Sequence, residues 1–417
     1  MSFLQFFVWG AWLTTIGTYC TAGKGWTFSQ FGAIFSTLAL SSILMPSLIG
    51  IIADKWMRAE RLYGILHFTY GLILLLVPNL SWVQANVSFL SKMPEYELLY
   101  WVIFAGMICY MPTISLSNAV SYRILNMFKL DVVKDFPPIR VFGTIGFIMA
   151  MWITNLSGSK DNSMQFVIAG TMAIFLGIYS FTLPACPPEG NSAEKKTLIQ
   201  MLGLDAFKLF ANYQTALFFV FSMLLGAALQ LSNMYGDAYL SSFPKGSVVE
   251  SYSTIIYSIS QFSETIFILT IPFFLRRFGM KKVMLMALFA WVLRYGFFSV
   301  GETSFGSVFI VLSCIVYGMA FDFFLISGSM YIETTTDSKI RSSAQGLFIM
   351  MTNGFGAYFG TVASSKIIEW YYILPNGNTN WSGAWLLFAI YSLVVGVLFA
   401  VLFKHKHNPA DVKEVAH

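Results

Sequence analysis

Charge is scarce in this sequence. Lysine, arginine, aspartate and glutamate together make up 11% of its 417 residues, where a soluble domain carries about a quarter. So dry a composition excludes a soluble globular protein of this length. Histidine and cysteine are scarce as well, with four of each. Cys20, Cys109, Cys186 and Cys314 stand singly in or beside apolar stretches without CxxC spacing, which excludes a disulfide framework and a zinc site and leaves them as packing residues. His67, His405, His407 and His417 are expected at helix ends or in the tail. They form no metal-spaced cluster. With no Ser-His-Asp set and no paired aspartate motif, nothing supports an intramembrane hydrolase, and the chain is expected not to be an enzyme. A GxxxxGK(S/T) loop is missing too, so no nucleotide is expected to power it.

What is abundant is apolar: 57% of the chain is hydrophobic and 17% aromatic. Runs of about 20 apolar residues, the length that crosses a hydrocarbon core of roughly 30 Å, occur near 3–21, 29–53, 61–82, 98–120, 138–158, 164–184, 213–236, 250–275, 282–300, 305–331, 341–369 and 382–403. The expectation is an all-α integral membrane protein of twelve transmembrane helices, because an open sheet facing lipid would leave amides unpaired.

The cations give a topology. Lys55, Arg58, Arg61, Arg123, Lys129, Lys134, Lys195, Lys196, Lys208, Arg276, Arg277, Lys281, Lys282, Lys339, Arg341, Lys404, Lys406 and Lys413 fall on one side, and only Lys24, Lys92, Lys160, Lys245 and Lys366 on the other. Eighteen against five places the first side, with both termini, in the cytoplasm. The same asymmetry accounts for the formal charge of +5 without a nucleic-acid partner. No basic stretch or cleavage site points to a signal peptide at the start, which could be slightly truncated. N-x-S triplets at Asn79, Asn86, Asn155 and Asn380 read as chance occurrences.

Residues 185–212 form the longest inner connection and divide the helices six and six. A Pro-rich turn followed by an amphipathic stretch suits a linker on the membrane surface. The expected organisation is an N-terminal bundle at 1–184, this linker, a C-terminal bundle at 213–404 and a cytoplasmic tail at 405–417. The halves rhyme: GIIADKWMRAERL from Gly50 and PFFLRRFGMKKV from Pro272 are charged turns at equivalent places. Such a repeat suggests two bundles alternating access to a central site.

Ionisable residues inside apolar runs each cost about 2.5 to 3.5 kcal/mol near mid-bilayer on insertion scales. Arg140, Glu264 and Asp322 are such residues, and they mark the expected place of a polar ligand in the interior. Arg140, Thr144 and Phe147 recur at i, i+4, i+7, one helical stripe following Pro137 and Pro138, which are expected to start that helix. Gln230 and Asn233, like Gln261 and Glu264, are spaced i, i+3 and offer amides and a carboxylate that suit a nucleobase edge or sugar hydroxyls. Tyr317 and Phe321, at i, i+4 and followed by Asp322, could grip a planar base. Packing, helix bridging and snorkelling toward the surface remain the alternatives for these residues. Desolvation and a neighbouring cation act oppositely on a carboxylate's proton affinity, so a pairing of Glu264 or Asp322 with Arg140 that changed during transport would capture or release a proton. Arg294 reads as a second intramembrane cation, structural or snorkelling.

Gly50, Ala53, Asp54, Lys55 and Arg58 are similar to the gating-loop motif G-x-x-x-D-(R/K)-x-G-R-(R/K) of the major facilitator superfamily, with Met57 in place of its second glycine. Longer runs, among them DFPPIRVFGTIGFIMAMW, LIQMLGLDAF, FSMLLGAALQLSNM, SISQFSETIFILTIPFFL, VYGMAFDFFLISGS and SAQGLFIMMTNGFG, resemble the bacterial nucleoside:H+ symporter family within it, from Ser2 to about His407. The resemblance implies the two-bundle major facilitator fold in a bacterial inner membrane. It implies import of purine and pyrimidine nucleosides with protons by a monomer that needs lipid and a proton gradient but no cofactor or metal. It also implies a central site of Arg140, Thr144, Phe147, Gln230, Asn233, Gln261, Glu264, Tyr317, Phe321 and Asp322. Phe142 stands where a Trp is expected, and Ala228 where some relatives carry an acid, so base preference could differ. A permease for xanthosine, a nucleobase or a sugar, or a membrane receptor without transport, are the other readings.

Overall fold

Apolar sequence in a medium without water must satisfy its own backbone, and a helix does so within one segment. The chain folds accordingly. A computed structural model describes residues 1–88, 90–188, 204–303, 305–337 and 340–405. The principal helices are α1 (Ser2–Gly10), α2 (Phe28–Lys55), α3 (Ala59–Leu76), α4 (Glu95–Met127), α5 (Val132–Leu156), α6 (Met164–Ser180), α7 (Tyr213–Ser241), α8 (Ile259–Phe278), α9 (Met280–Ser299), α10 (Gly306–Thr335), α11 (Ala357–Tyr371) and α12 (Trp381–Leu402). Among the described residues nine helical stretches are long and apolar enough to cross a membrane. The expected segments that fall outside that set are the first, the sixth and the eleventh.

Each has a local reason. The first helix loosens after Gly10 and resumes as Ile16–Thr18 and a π turn at Tyr19–Gly23. There the Ala11 carbonyl accepts from Thr154 Oγ1 of α5 at 2.8 Å, while Thr15 Oγ1 donates to Gln165 Oε1 at 2.8 Å, so polar side chains compete with the helical ladder. α6 has 17 residues. The eleventh segment runs from Arg341–Ile349 through a π-helix, Met350–Gly356, into α11.

One expectation about a helix start is corrected. α5 begins at Val132, not at Pro137 and Pro138, which lie inside it. The two prolines therefore sit where ladder donors would be, and their missing N–H groups leave the carbonyls a turn earlier without their helical partners.

Two compact units emerge. One comprises Met1–Leu202 together with Leu240–Ile255, and the other Gly203–Tyr239 with Ile256–His417. In the first, α1 packs on α5 and α6, α2 on α4, and α3 on both α4 and α6; in the second, α9 packs on α10 and α12, and α8 on α10. The pairs α2·α4, α3·α4 and α3·α6 thus return six helices later as α8·α10, α9·α10 and α9·α12. Glycines carry the repeat further. A Cβ at Gly10 would lie 2.5 Å from the Phe147 carbonyl oxygen and one at Gly146 2.1 Å from that of Phe3, while Gly226 and Gly356 make the same backbone approach to Thr352 and Met223. Small residues at such crossings let membrane helices meet main chain to main chain.

The expected linker lies mostly outside the described residues, as do Lys195, Lys196, Lys339, Lys406, Lys413, His407 and His417. Its last part forms a 3-10 helix, Leu204–Ala211. The α7–α8 connection belongs with the first unit. Asn155 Nδ2 donates to the Ser251 carbonyl at 2.8 Å and its Oδ1 accepts from Thr254 N at 3.1 Å, and Lys160 pairs with Glu250 at 3.3 Å. Asn155 is therefore a buried structural amide.

Candidate functional site

In the first unit, the stripe on α5 is divided between surface and core. Arg140 is exposed, with its guanidinium carbon 4.1 Å above the Phe6 ring. Thr144, one turn on, is half-buried. Phe147 is buried and meets Trp9 edge to face at 6.5 Å, so its ring packs onto α1 and does not share an open face with Arg140 and Thr144.

In the second unit the remaining residues lie on three helices. α7 carries Gln230, buried, and Asn233, half-buried; α8 carries Gln261 and Glu264, both half-buried. On α10, Tyr317 is buried, Phe321 half-buried and Asp322 5% exposed. Tyr317 and Phe321 stack with centroids 5.6 Å apart and planes 9° from parallel, as their spacing predicts. α8 and α10 touch at this level. A Cβ at Gly318 would lie 2.5 Å from the Ser263 carbonyl oxygen and 2.7 Å from the Glu264 nitrogen, and Ser263 Oγ donates to the Ile315 carbonyl. Glu264 is thereby set against the turn that carries Tyr317.

Arg294 does not snorkel. It has no exposed surface and is held by Ser232, Tyr257, Ser260 and the Ser313 carbonyl.

The charged loop after α2 is organised around its acid. Asp54 pairs with Arg123 of α4 at 3.1 Å, Ala53 is buried, Lys55 and Arg58 are exposed, and space is open around Gly50. Behind it, Glu60 is buried and accepts from Cys186 N at 2.8 Å, while Ala59 N donates to the Cys186 carbonyl at 3.1 Å. Burial and the nearby Glu60 carboxylate push the Cys186 thiol up, against the pull of Arg123.

Sequence reasoning missed three buried polar positions. Asp237 is fully buried in α7, one residue beyond the span drawn from hydropathy. Its flanks, Tyr235 and Tyr239, both buried, were the available signal. Glu60 looked like one more loop charge. His67 is not at a helix end: it lies in mid-α3 without exposed surface, its Nε2 2.6 Å from Gln5 Oε1, which also accepts from Tyr63 at 2.6 Å. Gln5 completes that network by donating to Thr113 Oγ1 at 3.0 Å. Among the described residues no three metal-ligating side chains cluster.

The model of the nucleoside H+ symporter family matches residues 1–408. The chain belongs to that family. Relatives span its whole length: it is 45% identical over 425 residues to nucleoside permease NupG of Escherichia coli (strain K12), covering 100% of this chain and 98% of that protein. To the xanthosine permease of the same organism it is 45% identical over 426 residues, covering 100% and 97%. Crystal structures of nucleoside transporter NupG and of an aspartate-to-alanine variant superpose with TM-scores of 0.85 and 0.89, each at 45% identity and covering 97% of this chain and 98% of the other. A bacterial homologue of the lysosomal transporter Spinster, at 14% identity, superposes with a TM-score of 0.62 over 99% of this chain and 95% of the other, which shows the fold alone. The family member is therefore a multi-pass membrane transporter of the major facilitator fold and not an enzyme.

Proposed function

We propose that this protein carries nucleosides and protons together into the cell across a bacterial inner membrane, with both termini in the cytoplasm. The observation that carries the reading is membership of the nucleoside H+ symporter family over residues 1–408, joined to a site whose side chains suit the ligand. Amides at Gln230, Asn233 and Gln261 can donate to and accept from a base edge, a job that one-way donors such as lysine cannot do. Phe321, partly open beside the buried Tyr317, offers a ring face to a base. In the first unit, Arg140 and Thr144 carry a cation and a hydroxyl on α5 and are proposed as further substrate residues. Glu264 and Asp322 are the proton carriers in this reading, one releasing its proton as the other groups rearrange. The transporter acts as a monomer in lipid, the proton gradient supplies the energy, and no cofactor takes part.

Xanthosine as the preferred nucleoside is the second reading, favoured by equal identity to a xanthosine permease. Nucleobases and sugars rank below it, since neither uses both the ring face and the hydroxyl-binding groups. The test is uptake by proteoliposomes holding the purified protein, with labelled uridine, adenosine and xanthosine, with and without an inward proton gradient. Accumulation that collapses on adding a protonophore supports symport. Uptake of xanthosine alone selects the second reading, and no uptake of any of the three by folded protein overturns both.

A further inference from the structure

Arg294 of α9 is an ion with no exposed surface. Its hydrogen-bond partners are all neutral. Nε and Nη2 donate to Ser232 Oγ at 2.9 and 2.7 Å, Nη1 donates to the Ser313 carbonyl at 2.9 Å and to Ser260 Oγ at 3.3 Å, and Nη2 donates to Tyr257 at 3.2 Å. The guanidinium carbon lies 4.4 Å over the Tyr317 ring. Burying an ion among neutral groups is costly, and an apolar side chain of similar size would fill the space more cheaply. Packing alone gives no reason for an arginine here.

Its partners supply one. Ser232 precedes Asn233 on α7, Ser260 precedes Gln261 at the start of α8, and Tyr317 is itself a proposed substrate residue on α10. A planar fork with five donors can grip three helices at once, which a lysine cannot. The grips at Ser232 and Ser260 each fall one residue from a group proposed to touch the nucleoside, the ring contact falls on Tyr317 itself, and the Ser313 carbonyl lies one helical turn before Tyr317. Ser313 Oγ also donates back to the Arg294 carbonyl at 2.8 Å, fixing α9 to α10 at the level of the fork.

We propose that Arg294 is a positioning residue of the transport site: by holding α7, α8 and α10 in register it aligns Asn233, Gln261 and Tyr317, and so sets nucleoside affinity. The proposal rests on the nucleoside reading above. Its test uses the full-length protein purified as a monodisperse detergent-solubilised species, with uridine affinity measured by calorimetry and transport kinetics in vesicles, for the parent, Arg294→Lys, Ser232→Ala and Ser260→Ala. Arg294→Lys keeps the charge and loses the fork, so the uridine Kd and KM rise by about tenfold or more, while the maximal exchange rate per folded transporter changes less. Each serine variant removes one grip and raises Kd by a smaller factor. A purely structural arginine would lower the yield of folded protein and leave Kd in the folded fraction at the parent value. Should Arg294→Lys fail to fold, the serine variants decide. Kd within twofold of the parent in every variant that folds overturns the inference, whereas a parent that binds neither uridine, adenosine nor xanthosine overturns the underlying reading instead.

Discussion

Gly318 of α10 faces the main chain of Ser263 in α8 so closely that a Cβ would lie 2.5 Å from the Ser263 carbonyl oxygen. No side chain can be accommodated there without parting the two helices, and that crossing sets Glu264 beside Tyr317. Gly318→Val is expected to cost about 1 to 3 kcal/mol in stability through overpacking and to reduce uptake beyond the loss of folded protein. Thermal unfolding in detergent alongside vesicle uptake reads both; a variant with parent stability and parent uptake contradicts the role given to this crossing.

The stacked pair on α10 should behave asymmetrically. Phe321 is partly open and Tyr317 is buried. Phe321→Ala is expected to raise the KM for uridine by roughly tenfold, the worth of about 1.5 kcal/mol of ring contact, with thermal stability near the parent's. Tyr317→Ala should lose about 3 to 5 kcal/mol as a cavity opens in the unit. Equal stability losses in the two variants would speak against this division.

For coupling, Asp322→Asn and Glu264→Gln keep shape while removing the titrating oxygen. At least one is expected to lose accumulation driven by a pH gradient and to retain nucleoside exchange. If both concentrate uridine as the parent does, neither carboxylate carries the proton.

The α7–α8 connection offers a pH test away from the membrane spans. Burial works against the charge of Glu250, but the Gly246 N–H and Lys160 more than offset it and hold the carboxyl below its ordinary value. A carboxyl depressed in the folded state contributes stability above its unfolded value, near 4.3, and loses it as pH falls through the folded value. Hydrogen-exchange protection of residues 247–254, relative to the intrinsic rate at each pH, should therefore be high at neutral pH and fall in acid below that range. Glu250→Gln should show low protection at neutral pH as well; the same protection in both proteins would rule out the pairing as the cause.

Much of this was legible in the residues. Hydropathy marked the crossing segments because burying a helix in lipid demands unbroken apolar length, and i, i+4 spacing set Tyr317 against Phe321 because helical geometry leaves little choice. What stayed hidden depended on contacts distant in sequence. Nothing in the run around His67 discloses that Gln5, 62 residues earlier, meets its Nε2. Arg294 could be seen as an intramembrane cation, but its partners on three other helices could not. The prolines of α5 favoured a helix start locally, and the chain instead continues the helix back to Val132. The proposed division of labour among the ten site residues likewise follows from chemistry and placement, not from spacing alone.

The main-chain approaches of α1 and α5, at Gly10 against Phe147 and Gly146 against Phe3, are two touch points along one seam. Main chain meets main chain at both, so sliding α5 along α1 would drive backbone into backbone, and the two helices are expected to shift together. A fluorophore or spin label attached to the exposed side of either helix would consequently report the travel of both.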